Sequence, residues 1–305
     1  MDGHTPTPGD EDPLELSGVI PPTITAFSAD ESLDETTTAA HARYVVDGGA
    51  TAVFPLGTNG EFALLTPDER VRAIEAVVEE VGSAVPVIAG VGAPSTRETI
   101  EHAQRATAAG ADGLVVVTPY YYPVDKTGAV SHYQQVTEAV DSPVYVYHIP
   151  SKTGNALSRE TLVELTELDG IAGLKDSSKD IPLFGQVIAD GADVSYFAGS
   201  DSLLVPGLDL GCVGLVSAVA NVVPELVVEL YDSYVTGERE RAQQLQETVF
   251  EVRRALKRGP YMAGVKTALE LRGFESGPLR SPLRRMNTEQ ERALESALAE
   301  LDLLG

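Results

Sequence analysis

The sequence holds one cysteine, Cys212, in 305 residues, and no tryptophan. A single cysteine excludes a disulfide framework and any zinc site built on thiolates. The five histidines are scattered without metal-ligand spacing, so no metal and no cofactor is expected. No apolar run reaches the roughly 18 residues a membrane-spanning helix needs, and no membrane partner is expected. The opening stretch MDGHTPTPGDEDPLE is acidic and proline-rich. It lacks the layout of a signal or transit peptide and reads as a disordered tail over residues 1–15. The expectation is a soluble, cytoplasmic protein.

Positive charge is also scarce. Lysine and arginine total 22 against 46 acidic residues, a formal net charge of −24, and only six of the cations are lysines. No basic patch is visible, so nucleic acid is not an expected partner. A large charge of one sign keeps a chain soluble at the cost of self-repulsion. Few lysines with many Asp and Glu suggest a salt-adapted cytoplasm; an ordinary acidic protein is the plainer alternative.

What is present is a repeated pattern of a short apolar run, a polar loop and an amphipathic stretch. The runs are GVIPPTIT (18–25), AVFPL (52–56), PVIAG (86–90), GLVVV (113–117), VYVYH (144–148), IAGLK (171–175), VSYFA (194–198) and GLVSA (214–218). Each is too short for a helix and lacks polar alternation, as buried parallel strands do. Helix starts are signalled by Thr66-Pro67-Asp68-Glu69, by a capping box from Ser95 to Glu98, and more weakly by Ser158 to Thr161. Helix ends are signalled by Gly48-Gly49, Gly82, Gly110 and Gly211.

Eight such units predict an α/β fold closed into a (β/α)8 TIM barrel over residues 16–236, the last helix running near Pro224 to Thr236. An open doubly wound sheet is the alternative, but no GxGxxG follows any run. Residues 237–305 read as a C-terminal helical extension, with helical patterns at 238–257, 264–272 and 288–301, packed on the barrel or on a neighbouring subunit.

In such a barrel the chemistry sits at the C-terminal strand ends. Lys175 ends an apolar run in a lysine-poor chain. An amine facing the barrel interior is costly unless neutral or paired, and burial lowers its pKa, making it a nucleophile for a carbonyl. The alternative is a strand-end lysine reaching solvent or pairing with Asp176. Tyr145 and Tyr147 alternate along the fifth run, with Tyr147 nearer the catalytic end; it is either a proton carrier or a barrel-filling aromatic. His148 points the other way and reads as structural. Gly57-Thr58-Asn59-Gly60 is a turn whose N–H groups could hold a carboxylate, or a simple connection, with Glu61 behind it. Tyr120, Tyr121 and Tyr122 lie between Pro119 and Pro123. Lys152 and Asp201 are loop charges near the mouth, and Lys266, in the extension, reads as structural.

Gly57-Thr58-Asn59-Gly60-Glu61, Tyr147-x-x-Pro150, Gly173-Leu174-Lys175-Asp176 and Gly214-x-x-Ser217 through Asn221 occur in that order. Together they resemble the dihydrodipicolinate synthase/N-acetylneuraminate lyase family, from about Gly18 to the C-terminus. The resemblance implies a barrel with a helical extension, a homotetramer built as a dimer of dimers, and class I chemistry on pyruvate or another small 2-oxo acid without cofactor. It implies that Lys175 forms the Schiff base and Tyr147 carries protons. Thr58 and Asn59 would hold the pyruvate carboxylate, Val216 would line the pyruvate site, and Tyr121 would cross into a neighbouring subunit to complete a relay with Thr58.

The departures point to a subgroup. Where synthases have an arginine for the second substrate's carboxylate, this sequence has Lys152, a point charge rather than a fork. The run Gly57 to Phe62 resembles 4-hydroxy-2-oxoglutarate aldolase. Pro119 to Pro123 and Lys175 to Ser178 are similar to sugar-acid aldolases, where residues such as Gly199, Ser200 and Asp201 bind sugar hydroxyls. The expected activity is therefore cleavage of 2-keto-3-deoxygluconate or its 6-phosphate. Dihydrodipicolinate synthase, 4-hydroxy-2-oxoglutarate aldolase and a non-catalytic binding barrel are the alternatives.

Overall fold

The structure, a computed structural model, describes residues 14 and 16–304. The tail expected over 1–15 lies outside the described residues except for Leu14. Seven parallel strands form one curled sheet: β1 (Gly18–Val19), β2 (Ile88–Gly90), β3 (Gly113–Val117), β4 (Val144–His148), β5 (Ile171–Asp176), β6 (Ser195–Ala198) and β7 (Gly214–Leu215), in the order β1-β7-β6-β5-β4-β3-β2.

The expected count of eight strands is corrected at the second run. Residues 52–56 make only an isolated bridge, Val53 to Val87. Pro55 has no N–H to give a ladder, and Leu56 turns into the left-handed region at φ 59°. Pro21 and Pro22 cut β1 short for the same reason. The segment still joins the two edges of the sheet. On one side Thr51 N–H donates to Val19 O (3.0 Å) and Phe54 N–H to Pro21 O (3.0 Å); on the other Val53 N–H donates to Pro86 O (3.0 Å) and Ile88 N–H to Val53 O (2.9 Å). The result is a TIM-barrel-like α/β architecture.

The helices are α1 (Glu35–Asp47), α2 (Pro67–Val81), α3 (Thr96–Ala108), α4 (Lys126–Thr137), α5 (Pro150–Thr153), α6 (Arg159–Thr166), α7 (Ile181–Asp190), α8 (Leu204–Asp209), α9 (Pro224–Val235), α10 (Arg239–Leu256), α11 (Tyr261–Leu271) and α12 (Thr288–Glu300). Their start signals act as their chemistry dictates. Thr66 and Glu69 cap α2 reciprocally, a full capping box with Pro67 in the first turn. Ser158 accepts from Thr161 N–H. The box expected at Ser95 is half formed: Ser95 accepts from Glu98 N–H (3.2 Å), but the Glu98 carboxylate faces His102 (3.6 Å) instead of returning to the cap. No described helix is long and apolar enough to cross a membrane.

Strand alternation sorts the side chains into two layers. Val115, Val117, Tyr145, Tyr147, Phe197 and Val216 point inward and pack with Ile20, Phe54 and Ile88. Their neighbours Leu114, Val116, Val144, Val146, Leu174 and Leu215 point outward against the helices. The same alternation puts Lys175 inside, beside Tyr147 in the β4–β5 register. The outer apolar layer continues into the C-terminal helices through Leu245, Val249, Val252 and Leu256.

Candidate active site

Lys175 and Tyr147 sit side by side on β5 and β4, both buried. Lys175 Nζ lies 3.6 Å from the centroid of the Tyr147 ring and 5.1 Å from that of Phe54. Only 5% of Lys175 is exposed. Burial pushes its pKa below that of an ordinary lysine, with Tyr147 and Asp201 acting the other way. A larger neutral fraction makes the amine a better nucleophile.

The alternative pairing of Lys175 with Asp176 is not what the structure holds. Asp176 faces outward, where His148 Nδ1 lies 2.7 Å from one carboxylate oxygen and Ser178 donates to the other through N–H (3.0 Å) and hydroxyl (2.7 Å). Leu157 N–H donates to His148 Nε2 (3.2 Å), so the ring hydrogen is on Nδ1 and is given to Asp176. His148 and Asp176 brace β4 against β5 from outside and leave Lys175 unpaired within.

Above the pair opens a cavity of ≈ 470 Å³. Thr58, Asn59, Lys152, Gly199, Ser200, Asp201 and Val216 all line it with Lys175 and Tyr147. Two side-chain atoms among them are buried and unpartnered, Asn59 Nδ2 and Ser200 Oγ. Leaving buried polar atoms unsatisfied costs free energy, and both atoms are free to take a partner from the cavity. Asn59 belongs to a tight turn, Thr58–Gly60, whose hydrogen bonds run from Gly60 N–H to Gly57 O (3.0 Å) and Glu61 N–H to Thr58 O (3.3 Å).

The turn is held from behind by the C-terminal extension. Glu61, at φ 52°, is ion-paired to Lys266 (2.9 Å) with both side chains buried, and its second oxygen accepts from Arg280 N–H (3.0 Å). Arg280 also pairs with Glu69 (2.7 Å) and holds that carboxyl down to about 2. Residues of the extension thus support the turn and line the cavity.

Asp201 is spent internally. Its carboxylate accepts from Ser217 Oγ (2.6 Å), Val219 N–H (3.2 Å), Tyr261 Oη (3.3 Å) and the Arg253 guanidinium. These four partners hold Asp201 at the cavity wall, where it was expected to meet sugar hydroxyls, and bring Arg253 beside it.

Gly199 has a reason besides ligand contact. A Cβ there would stand 2.9 Å from Lys175 Cε and 2.2 Å from Ser177 Oγ. The Lys175 stem passes over the glycine, and Ser177 Oγ donates to its carbonyl (2.8 Å). Gly199→Ala should displace the amine, cutting kcat by on the order of 10²-fold with a smaller loss of stability. Single-turnover trapping of pyruvate checks this; unchanged trapping would show that the amine is not crowded.

Tyr121 does not reach its own chain's cavity. It is 83% exposed, stacks edge-on with Tyr122 (5.0 Å), and holds a positive φ of 79°. Positive φ is rare and strained for an aromatic residue. Sequence reasoning missed Lys179, Arg253, Lys257 and Tyr261, all of which line the cavity. Three of the four come from the C-terminal side; the scarcity of lysine was a signal for Lys179 and Lys257, and nothing local signalled Arg253 or Tyr261.

A buried lysine without an ion-pair partner, beside a tyrosine at the mouth of a TIM-barrel-like sheet, is the arrangement that a class I lyase, an enzyme working through its own amine, requires. Residues 15–301 match the family described as the Dihydrodipicolinate synthetase family, and the chain belongs to it. It is 66% identical over 304 residues, with all of both chains covered, to an uncharacterized DapA-like lyase of Halobacterium salinarum. It is 38% identical to the 4-hydroxy-tetrahydrodipicolinate synthase of Methanopyrus kandleri, covering 95% of this chain and 98% of that one. Among solved structures, YagE of E. coli K12, a member of the same family in complex with pyruvate, superposes with a TM-score of 0.91 at 30% identity, covering 94% of this chain and 99% of that one. The protein is a pyruvate-dependent class I lyase.

Proposed function

We propose that this enzyme cleaves a 2-keto-3-deoxy sugar acid, 2-keto-3-deoxygluconate or its 6-phosphate, to pyruvate and glyceraldehyde or its phosphate. The carrying observation is the desolvated Lys175 amine against Tyr147, on the floor of a cavity that also presents Asn59 Nδ2 unpartnered. Asn59 Nδ2 and the N–H groups of Thr58 and Asn59, which the turn's own hydrogen bonds do not use, receive the substrate carboxylate, placing the C2 ketone at Lys175. The amine adds to C2 and water leaves, giving a protonated imine. Tyr147, with Thr58, takes the C4 hydroxyl proton; the C3–C4 bond breaks and its electrons pass into the imine as an enamine. Protonation at C3 and hydrolysis of the imine release pyruvate and restore Lys175. Val216 closes the pyruvate end, and Ser200 Oγ, buried without a partner, meets a substrate hydroxyl.

We read the architecture as a (β/α)8 barrel with residues 51–55 standing in for the missing strand, and the assembly as a homotetramer. Its support is the exposed, strained Tyr121, which would enter a neighbouring copy's relay with Thr58. The Halobacterium relative and the charge of −24 support a salt-adapted cytoplasm.

The test is pyruvate release, coupled to lactate dehydrogenase, from 2-keto-3-deoxygluconate, its 6-phosphate and 4-hydroxy-2-oxoglutarate, after preincubation in molar salt. Cleavage of a sugar acid is the expected result; turnover of hydroxyoxoglutarate alone would replace the reading. The synthase reading is favoured by the names of relatives such as the Methanopyrus enzyme. It predicts condensation of pyruvate with aspartate semialdehyde and no sugar-acid cleavage.

A further inference from the structure

Four of the six lysines of this chain, Lys152, Lys175, Lys179 and Lys257, line the one cavity that holds the candidate catalytic pair, and Arg253 joins them. The concentration runs against the composition, since a net charge of −24 repels an anionic substrate at long range. Among the described residues, Lys152, Lys179 and Lys257 make no ion pair, whereas Lys126 and Lys266 do. The only acidic side chain lining the cavity, Asp201, is neutralised by Arg253.

The cations are close enough to oppose one another. Repulsion from Arg253, then partial burial and repulsion from Lys179, hold the Lys257 amine below its ordinary value. Lys179 adds a second cost: it occupies the left-handed region, φ 70°, in the connection between β5 and α7. A lysine rarely takes that conformation, and a strained residue at a site mouth is informative. An anion at the rim would offset the repulsion, while the strained turn holds Lys179 at the mouth.

We propose that Lys179, Lys257 and Arg253, with Lys152, form a distal anion subsite that receives the terminal phosphate of a phosphorylated 2-oxo sugar acid. This rests on the aldolase reading and narrows it to the phosphate ester. The subsite suits phosphate better than a single carboxylate. A carboxylate is best gripped by one free bidentate arginine, and Arg253 is already engaged by Asp201. A dianion with three free oxygens can take several ammonium groups as point charges. Asp201, which both raises the pKa of Lys175 and holds Arg253, sets the subsite one carboxylate away from the imine.

The experiment compares kcat/KM for the phosphorylated and free sugar acids in the full-length enzyme and in a Lys179→Gln, Lys257→Gln double variant. Both lysines are exposed, so the variant should fold. The wild type should prefer the phosphate ester by roughly ten- to a hundredfold, and the ratio should collapse towards one in the variant, chiefly through KM. A wild-type ratio near one, or a ratio the double variant leaves unmoved, overturns the subsite. If neither sugar acid is cleaved, the aldolase reading fails by itself, and calorimetric titration with glycerol 3-phosphate against glycerol decides the subsite. Binding of the ester alone, lost in the variant, retains it; no binding, or binding the variant keeps, overturns it.

Discussion

Lys175→Met should abolish turnover and borohydride trapping of pyruvate while raising the melting temperature. The amine is buried, its charge faces two aromatic rings, and its nearest carboxylate neighbour on the strand is turned to the opposite face. The folded-state pKa lies below the unfolded one. For a base this sign means that folding disfavours the proton. Lys175 therefore costs stability in full below its folded pKa, and the cost fades as the pH rises from there to the ordinary lysine value. Methionine has a similar length and no charge, so the variant should gain about 1–2 kcal/mol at neutral pH. That corresponds to a few degrees in Tm. The loss of turnover should be on the order of 10⁴-fold or more, because no other described amine is buried beside Tyr147. Mass spectrometry of the reduced pyruvyl adduct checks the first half and calorimetry the second. A labelled variant would end the assignment of Lys175; a lower Tm would end the account of its burial. A wild-type protein that binds pyruvate without labelling would restore the non-catalytic barrel.

Lys266→Met should do the reverse, destabilising strongly and weakening pyruvate binding indirectly. Lys266 Nζ donates to Pro278 O (2.7 Å) and pairs with Glu61 in a site closed to water. Removing one partner of a buried pair leaves an uncompensated charge, at a cost of roughly 3–5 kcal/mol. That is a Tm loss on the order of 10 °C. The Lys266→Met, Glu61→Gln double variant should recover much of it, because the stranded carboxylate is gone. Glu61 borders the turn of Thr58 and Asn59, so the single variant should also raise KM for substrate more than it lowers kcat. Thermal melts around the double-mutant cycle, with steady-state kinetics on each corner, test both parts. Full additivity of the two substitutions would show that the pair is not coupled.

Much of the fold was legible because its signals are local. Parallel strands buried on both sides read as short apolar runs, and Thr66, Ser95 and Ser158 announced helices that the structure caps there. The misreading of residues 52–56 was also local in origin. Their apolar composition is that of a strand, but Pro55 and the turn at Leu56 break the ladder. Lys175 and Tyr147 were legible together because inward and outward positions alternate in a strand, so the end of a run names the residue facing the mouth. The boundaries of α10, α11 and α12 fell within a few residues of those expected, for the same periodic reason.

The sequence alone determined the series of parallel units, the inward amine and its tyrosine, and the turn that faces them, since each follows from a period or a short motif. Only the tertiary structure decided what surrounds them. Arg253 reaches Asp201 across 52 positions, and Lys266 reaches Glu61 from another helix altogether. Lys179 and Lys257 are ordinary polar residues in their own segments and meet only at the cavity mouth. Gly199 is dictated by a side chain on the adjacent strand, which no pattern within its own segment records. Contacts between distant segments are fixed by how the helical extension packs on the barrel, and that packing is set by shape and burial rather than by any period along the chain.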